Sequence, residues 1–263
     1  MKDKIIITDN NIDLNISNYI SFKELSSDEF IKVYLLDILN DSNLEIEYNI
    51  KEEVKINFII NVLNGVRLNL IDKKNCKNIK VKCSYKLGEN SSLFVQKINS
   101  GSKISEYDVI DLNGLNSSVN YVLKTVCTNS ENYDIVVNHL EKNTTSNIIT
   151  NGINIENGKL QFNVTGFVPN GSSSSYLMQD NRIINFTNNK CQINPNLLID
   201  EMNVEANHSA HISDFSLEDL FYIQSRGINY EEAKKLLIKG FLLSNLDDSI
   251  SDYIDQLIKN YWG

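Results

Sequence analysis

The segment LFYIQSRGI occupies residues 220–228, and the segment ANHSAH precedes it at residues 206–211. The first segment contains an aromatic pair, Phe221 and Tyr222, ahead of a Ser-Arg-Gly turn, and a second helical pattern follows it and ends at Phe241. Both segments come after a long region with a β pattern. They therefore mark the change from a mainly β chain to a short helical end.

The β pattern extends from about residue 44 to residue 205. Short runs alternate between apolar and polar residues, as in VKINFII at 54–60 and IKVKCSY at 79–85. Such alternation is typical of half-buried strands, and Asn-Gly pairs between the runs indicate turns. Many short strands fit a sandwich, a barrel or a β-solenoid. No repeat of fixed length is visible, so the pattern alone does not choose among them.

The pattern becomes helical from Ser213 onward. Ser216 and Asn229 are suited to cap two helices, and Gly227 is suited to end the first of them in a left-handed conformation. A third helix is predicted to begin at residues 247–249. Three short helices after a β region predict an α-helical cap or docking module at the C-terminal end.

These patterns divide the chain into three parts. Residues 1–42 form a short N-terminal segment, residues 43–212 form the β core, and residues 213–263 form the helical module. In the first part, SSDE at residues 26–29 precedes FIKVYLL and predicts a helix that opens with a capping box. The β-branched residues of that run leave a strand as the alternative.

Composition and charge argue against several classes of function. The net charge is −9, and residues 200–263 contribute 12 Asp/Glu against 5 Lys/Arg. A nucleic-acid partner is not expected, because it requires clustered Lys and Arg. No run approaches the ~20 apolar residues of a membrane span, and the start lacks a signal-peptide pattern, so a cytoplasmic protein is expected. The four cysteines form no C-x-x-C pair, which favours reduced thiols over a structural zinc site.

The segments at 206–211 and 220–228 resemble the C-terminal signature of the SufB/SufD family, the scaffold subunits of SUF iron–sulfur cluster assembly. Family members typically show His-x-Ala-Thr, then Leu-Phe-Tyr-Leu-x-Ser-Arg-Gly-Ile, then Gly-Phe. The resemblance implies a mainly β fold, with a right-handed parallel β-helix and a C-terminal helical domain. It also implies that this domain docks the SUF ABC-type ATPase, a SufC-like protein. Two β-helices are then expected to pair, as a homodimer or as a heterodimer with a SufB-like subunit.

The same resemblance supplies three candidates for cluster or metal binding. His208 matches the histidine that both branches share, and a neutral imidazole can ligate iron. Alignment through Pro195 places Asp180 where the SufB branch has a cysteine, so the chain is closer to SufD. Cys191 lies nearest to His208 in this alignment, with a structural thiol as the alternative. His211 is expected on the opposite side of the strand from His208.

The cofactor that the resemblance implies is a transient iron–sulfur cluster at a dimer interface, and no other cofactor is expected. His139 precedes a Thr/Ser cluster and is expected to be a polar residue that is hydrogen-bonded at a solenoid corner.

The candidate partner-binding residues are aromatic residues and an arginine of the helical module, because such residues are enriched at interface hot spots. They are Phe221, Tyr222, Arg226 and Phe241. At helical spacing an aromatic pair is more often core, so Phe221 is expected to be largely core together with Leu220. Arg226 has two interpretations, a structural hydrogen bond or a partner contact.

The function expected from these observations is a non-enzymatic scaffold subunit of SUF-type cluster assembly. One alternative is a structural paralogue that binds the ATPase without handling a cluster. Another is a β-solenoid enzyme that acts on acidic polysaccharide, but the near-neutral β region argues against the basic groove that it requires. No phosphate-binding glycine loop is visible, so nucleotide hydrolysis must come from the partner.

Overall fold

The computed structural model describes residues 3–9, 11–27 and 31–263, and they form a parallel β-solenoid of about seven turns followed by a helical module. The strands are β1 Asp3–Thr8, β2 Ile12–Asn15, β3 Ile20–Ser27, β4 Ile31–Ile38, β5 Ser42–Asn49, β6 Val54–Val62, β7 Arg67–Leu87, β8 Ser92–Leu112, β9 Ser118–His139, β10 Thr145–Asn154, β11 Lys159–Val168, β12 Ser175–Asn185, β13 Gln192–Ile199 and β14 Val204–Ser213. The helices are α1 Leu217–Gln224, α2 Tyr230–Leu243 and α3 Ser251–Trp262. The mainly β fold and the helical module are as the sequence predicts.

The solenoid has two walls of stacked parallel strands. The first wall contains β5, β10, β12 and β14 together with the first halves of β7, β8 and β9. The second wall contains β4, β6, β11 and β13 together with the second halves of the same long strands. The long strands pass from one wall to the other, because β7 pairs with β5 up to Lys74 and with β6 from Ile79 onward. The space between the walls is called the lumen below.

The coils differ in length, which explains why no fixed repeat is visible in the sequence. Ile31 pairs with Lys55, 24 positions later, whereas Thr145 pairs with Tyr176, 31 positions later. Within each wall, inward and outward positions alternate along the strands. The register of β8 with β9 shifts by one residue between Gly101 and Lys103, where the long strands cross from one wall to the other.

The N-terminal strand β4 corrects the helix predicted from the capping pattern. Tyr34, Leu36 and Ile38 are buried at every second position, which is a strand period. β4 pairs antiparallel with β3 and parallel with β6. Sheet hydrogen bonds and burial outweigh the local helical signal, and the β-branched alternative is the one that forms. Residues 28–30 of the predicted cap lie outside the described residues.

The helical module begins and ends its first helix as predicted. The side chain of Ser216 accepts a hydrogen bond from the Asp219 backbone N–H, and that of Asn229 caps α2 in the same way. Gly227 lies between them at φ +87°, in the left-handed region. Within the described residues, no helix has the length and apolar character required to cross a membrane.

An apolar seam joins the module to the first wall. Outward side chains from five successive coils meet the buried faces of α2 and α3. The solenoid residues of this seam are Ile71, Ile98, Val126, Ile153 and Ile184, and the helix residues include Ile238, Leu242, Ile254 and Leu257. Burial of these side chains fixes the module along five coils of the first wall.

Candidate functional site at the open end of the solenoid

The last coil leaves free strand edges at the C-terminal end of the solenoid. β14 pairs with β12 and β13 pairs with β11, and neither has a second neighbour in the described ranges. Leu198 on β13 is 56% exposed, and Ile212 on β14 is also exposed. Unpaired backbone groups beside exposed apolar side chains form a surface suited to strand pairing.

His208 lies in this last coil, opposite Gln179 of β12. Gln179 points into the lumen and is buried, whereas His208 is exposed, because no later coil of the described chain covers it. His211 lies opposite Arg182, on the other side of the strand, as the alternation predicts. The imidazole of His208 is therefore accessible to a ligand or to a second chain.

Asp180 and Cys191 do not form a ligand group with His208 in this chain. Asp180 lies on the outer side of β12, where its Oδ1 accepts a hydrogen bond of 2.6 Å from Ser209 Oγ. Cys191 is half-buried before β13 and packs against the apolar core, and burial raises the pKa of its thiol. Among the described residues, the group of three potential ligands that the structure assembles is a different one, namely Cys83, Glu106 and Asp108.

An aromatic surface is exposed on α1, and the expectation that Phe221 is core is wrong. Phe221 is 74% exposed and Tyr222 is 61% exposed, whereas Leu220 is only 7% exposed and is the buried residue of this helix. Arg226 Nη2 donates a hydrogen bond of 2.9 Å to Tyr222 Oη, and its guanidinium lies 5.0 Å from the centre of the Tyr222 ring. Arg226 thus makes a structural contact that holds Tyr222 at the surface.

Phe241 connects the helical module to the solenoid. Lys124 Nζ donates to the carbonyl oxygen of Phe241 at 3.4 Å and to Ser244 Oγ at 2.9 Å. Burial lowers the pKa of Lys124 to about 7. The Phe241 side chain lines a cavity of about 410 Å³ that Arg182 and His211 also line. Phe241 is half-buried and offers a partner less surface than α1 does.

The lumen contains a network of buried charges that the sequence interpretation missed. Lys74 Nζ donates to Asp72 Oδ1 at 2.6 Å and to Glu106 Oε1 at 3.1 Å. Lys97 Nζ donates to Glu106 Oε1 and, at 2.6 Å, to Asp108 Oδ2. Burial opposes ionisation of Glu106, but the two ammonium groups lower its pKa to about 2. The five side chains are at most 2% exposed, so this network is sealed from solvent.

The alternation of inward and outward residues along the strands could have predicted these buried charges. In β8 the positions that point into the lumen include Leu93, Val95, Lys97 and Asn99, so polar residues continue an inward apolar series. A charged residue at an inward strand position is buried unless the fold is open, and a buried charge requires a partner of opposite sign.

Two further buried groups titrate away from their usual range. Glu131 Oε2 accepts hydrogen bonds from Thr125 Oγ1 at 2.5 Å and from Tyr133 Oη at 2.9 Å, and burial raises the pKa of Glu131 to about 7. His139 is buried and lies 2.7 Å from Thr144 Oγ1, and burial lowers the pKa of His139 to about 4. His139 is thus the hydrogen-bonded polar residue expected from the sequence.

Comparison with known proteins identifies relatives of this chain. Residues 51–241 match the family described as SUF system FeS cluster assembly, SufBD core domain. The chain is 33% identical over 114 residues to the iron–sulfur cluster assembly protein SufD of Bacillus subtilis. These residues are 43% of this chain and 26% of that protein. The chain is 32% identical over 108 residues to SufB of the same organism, covering 40% of this chain and 23% of that protein.

A red-algal relative matches a longer part of the chain. The SufBD family protein of Porphyra purpurea is 29% identical over 161 residues, which are 59% of this chain and 32% of that protein. The matched part of the chain thus spans about a quarter to a third of the length of these relatives.

Proposed function

Because the chain belongs to the SufBD family of SUF-system iron–sulfur cluster assembly proteins, we propose that it is a cytoplasmic, non-enzymatic scaffold subunit of that system. Its helical module, residues 213–263, docks the ABC-type ATPase. Its solenoid pairs with a second β-helix, from another copy of this chain or from a SufB-like subunit. A transient cluster is cargo held where the two solenoids meet.

The observation that carries this proposal is the exposed aromatic surface of α1. Phe221 and Tyr222 are large, rigid side chains that contribute to binding at low cost in conformational entropy. The seam with the solenoid holds the module in place, and the Arg226 hydrogen bond orients Tyr222. A pre-organised aromatic surface of this kind suits a protein partner.

The open end supports the pairing part of the proposal. The free edges of β13 and β14 provide backbone donors and acceptors, and Leu198 and Ile212 provide apolar surface. His208 lies on the lumenal side of β14, in the same last coil. A second solenoid on these edges brings its own side chains to His208 and supplies the ligands that this chain alone does not assemble.

The test is co-expression of the full chain with the SUF ATPase of the same genome, followed by size-exclusion chromatography and calorimetry. We expect a stable complex, and we expect the double variant Phe221→Ala and Tyr222→Ala to bind about thirtyfold more weakly, since a hot spot contributes ~2 kcal/mol or more. The matched control is Tyr19→Ala with Leu25→Ala, which removes exposed apolar side chains near the other end. Absence of a complex, or equal losses in both double variants, contradicts the docking proposal.

The structural paralogue remains the second candidate, and one observation favours it. Asp180, which the family resemblance places where the SufB branch has a cysteine, accepts a hydrogen bond from Ser209 on the outer side of the sheet, whereas His208 lies on the lumenal side. A subunit that holds the ATPase and completes a dimer requires neither residue for cluster chemistry. The two candidates differ in whether His208 is required for cluster assembly in cells.

A further inference from the structure

Three potential metal ligands meet inside the solenoid, on the inner face of the second wall. Cys83 of β7 is the register partner of Asp108 of β8, and Glu106 lies two residues before Asp108 on the same face. One ligand atom from each of them lies within 4.8 Å of the other two. A thiol with two carboxylates is a mixed donor set that suits zinc, cobalt or iron(II).

The ammonium of Lys97 occupies the centre of this group. Lys97 enters from the first wall, and its Nζ donates to Glu106 Oε1, to Asp108 Oδ2 at 2.6 Å and to Cys83 Sγ at 3.8 Å. The same nitrogen therefore contacts all three residues that could ligate a metal. The rings of Tyr85 and Tyr121 lie 5.8 and 5.6 Å from it and close the space around the charge.

The lumenal side chains carry more negative than positive charges, so a cation at the position of the Lys97 ammonium is electrostatically favourable. Asp72, Glu106 and Asp108 carry three carboxylates, and Lys74 and Lys97 carry two ammonium groups, all at most 2% exposed. A divalent ion bound by a deprotonated Cys83 in place of the Lys97 ammonium leaves the same total charge. The buried Oδ1 of Asp108 also lacks a hydrogen-bond partner among the described residues, so one further donor atom is free.

We propose that Cys83, Glu106 and Asp108 form a cation-binding site. The ammonium group of Lys97 occupies this site and thereby keeps divalent metal ions out of the lumen. Lys97 is then a specificity-determining residue, since its ammonium occupies the position that a divalent ion would take among the three potential ligands. This inference stands on the lumenal contacts alone and does not rest on the proposed scaffold function.

The test removes the ammonium and keeps the volume, through Lys97→Met in the full chain. Because the lumen is closed, the protein is refolded from urea under anaerobic, reducing conditions with Co²⁺ or Zn²⁺ present. We expect the variant to take up one Co²⁺ per chain with thiolate-to-cobalt charge-transfer absorption, and to unfold at a higher temperature with Zn²⁺ than without metal.

Two controls isolate the site. The double variant Lys97→Met with Cys83→Ser loses the charge-transfer band and binds cobalt at least about tenfold more weakly, since even indirect support of a metal ligand contributes that much. Lys74→Met removes an ammonium from the same network, but that ammonium bonds Asp72 and Glu106. We expect Lys74→Met to show no thiolate–cobalt band.

Each remaining outcome overturns the proposal. A Cys83-dependent cobalt band in the unmodified chain shows that Lys97 does not exclude metal. A folded Lys97→Met chain without the band shows that the three donors do not form a cation site. A Lys97→Met chain that stays unfolded in the presence of Zn²⁺ shows that a metal does not replace the ammonium.

Discussion

The lumen beneath β7–β9 and the last coil, β13 and β14, share one strand architecture but differ in how completely their groups are partnered. In the lumen, five charged side chains are sealed from solvent and bonded to one another. In the last coil, His208 and Leu198 are exposed, and each strand has a free edge in the described chain. Partnered charges tie two walls together, whereas unpartnered edges are free to bind. The cluster of charged side chains therefore lies in the part of the molecule that is closed to solvent. A second chain can bind at the open end instead.

The strongest test of the comparison is Glu106→Gln. Glu106 accepts hydrogen bonds from Lys74, Lys97 and Asn99, so its neutralisation removes the carboxylate that two buried ammonium groups share and leaves each of them with one close carboxylate partner. Loss of one partner from a buried ionic network costs about 3–5 kcal/mol. We expect the free energy of unfolding in urea to fall by that amount.

The matched control for this change is Glu53→Gln. Glu53 pairs with Lys80 at 3.0 Å, and both side chains are about half exposed. An exposed pair contributes less than about 1 kcal/mol. Equal losses in the two variants contradict the view that the lumenal network fixes the fold.

The next largest effect is a pH dependence that originates in the lumen. The carboxyl group of Glu131 has its pKa raised by burial from 4.5 to about 7. Its stabilising contribution is therefore fully present below pH 4.5 and is lost as the pH rises through 7. We expect Glu131→Gln to remove this loss and to exceed the native chain in unfolding free energy at pH 8 by about 3 kcal/mol.

Urea denaturation at pH 5 and pH 8 measures this difference. His139, whose pKa burial lowers to about 4, contributes stability that is lost as the pH falls, and it does so equally in both chains. If the difference in unfolding free energy between the native chain and Glu131→Gln is the same at pH 5 and pH 8, Glu131 is not held neutral in the folded state.

The sequence predicts the parts of this fold that depend on local rules. Ser216, Asn229 and Gly227 cap and end the helices as expected, because capping involves neighbours within three residues. The alternating runs predict the strands for a similar reason. The segment Ile31–Ile38 forms a strand despite its capping signal, because β3 and β6 lie on either side of it.

Properties that depend on several coils could not be read from single residues. Lys97 and Cys83 are 14 positions apart and meet only because β7 and β8 stack and the two walls face each other. Phe221 is exposed because one side of α1 has no neighbour in the described chain, and helical periodicity alone does not show which apolar side a short helix buries. The motif at His208 marked this residue through the family resemblance, and its position on the last coil is known only from the structure.

Leu198→Lys tests the open end directly. A charge on the free edge of β13 repels a partner strand, as charged edge residues do in natural sheets. We expect pairing with a second chain to weaken about tenfold in sedimentation experiments, a change of ~1.4 kcal/mol. Leu14→Lys on β2 is the control, because Leu14 is an exposed leucine near the opposite end. Equal weakening by both changes shows that pairing does not use the last coil.

His208→Ala is expected to change stability least and to separate the two proposed functions. His208 is exposed on an edge strand, so its removal shifts the unfolding free energy by no more than about 0.5 kcal/mol. If the chain handles a cluster, the variant fails to restore iron–sulfur enzyme activity in cells that lack the native chain, although it still binds the ATPase. His211→Ala, on the other side of the same strand, retains that activity. If His208→Ala retains full activity in cells, the chain has a structural role. If His208→Ala loses as much unfolding free energy as Glu106→Gln, the open end contributes to stability as the lumen does, and the comparison between the two regions fails.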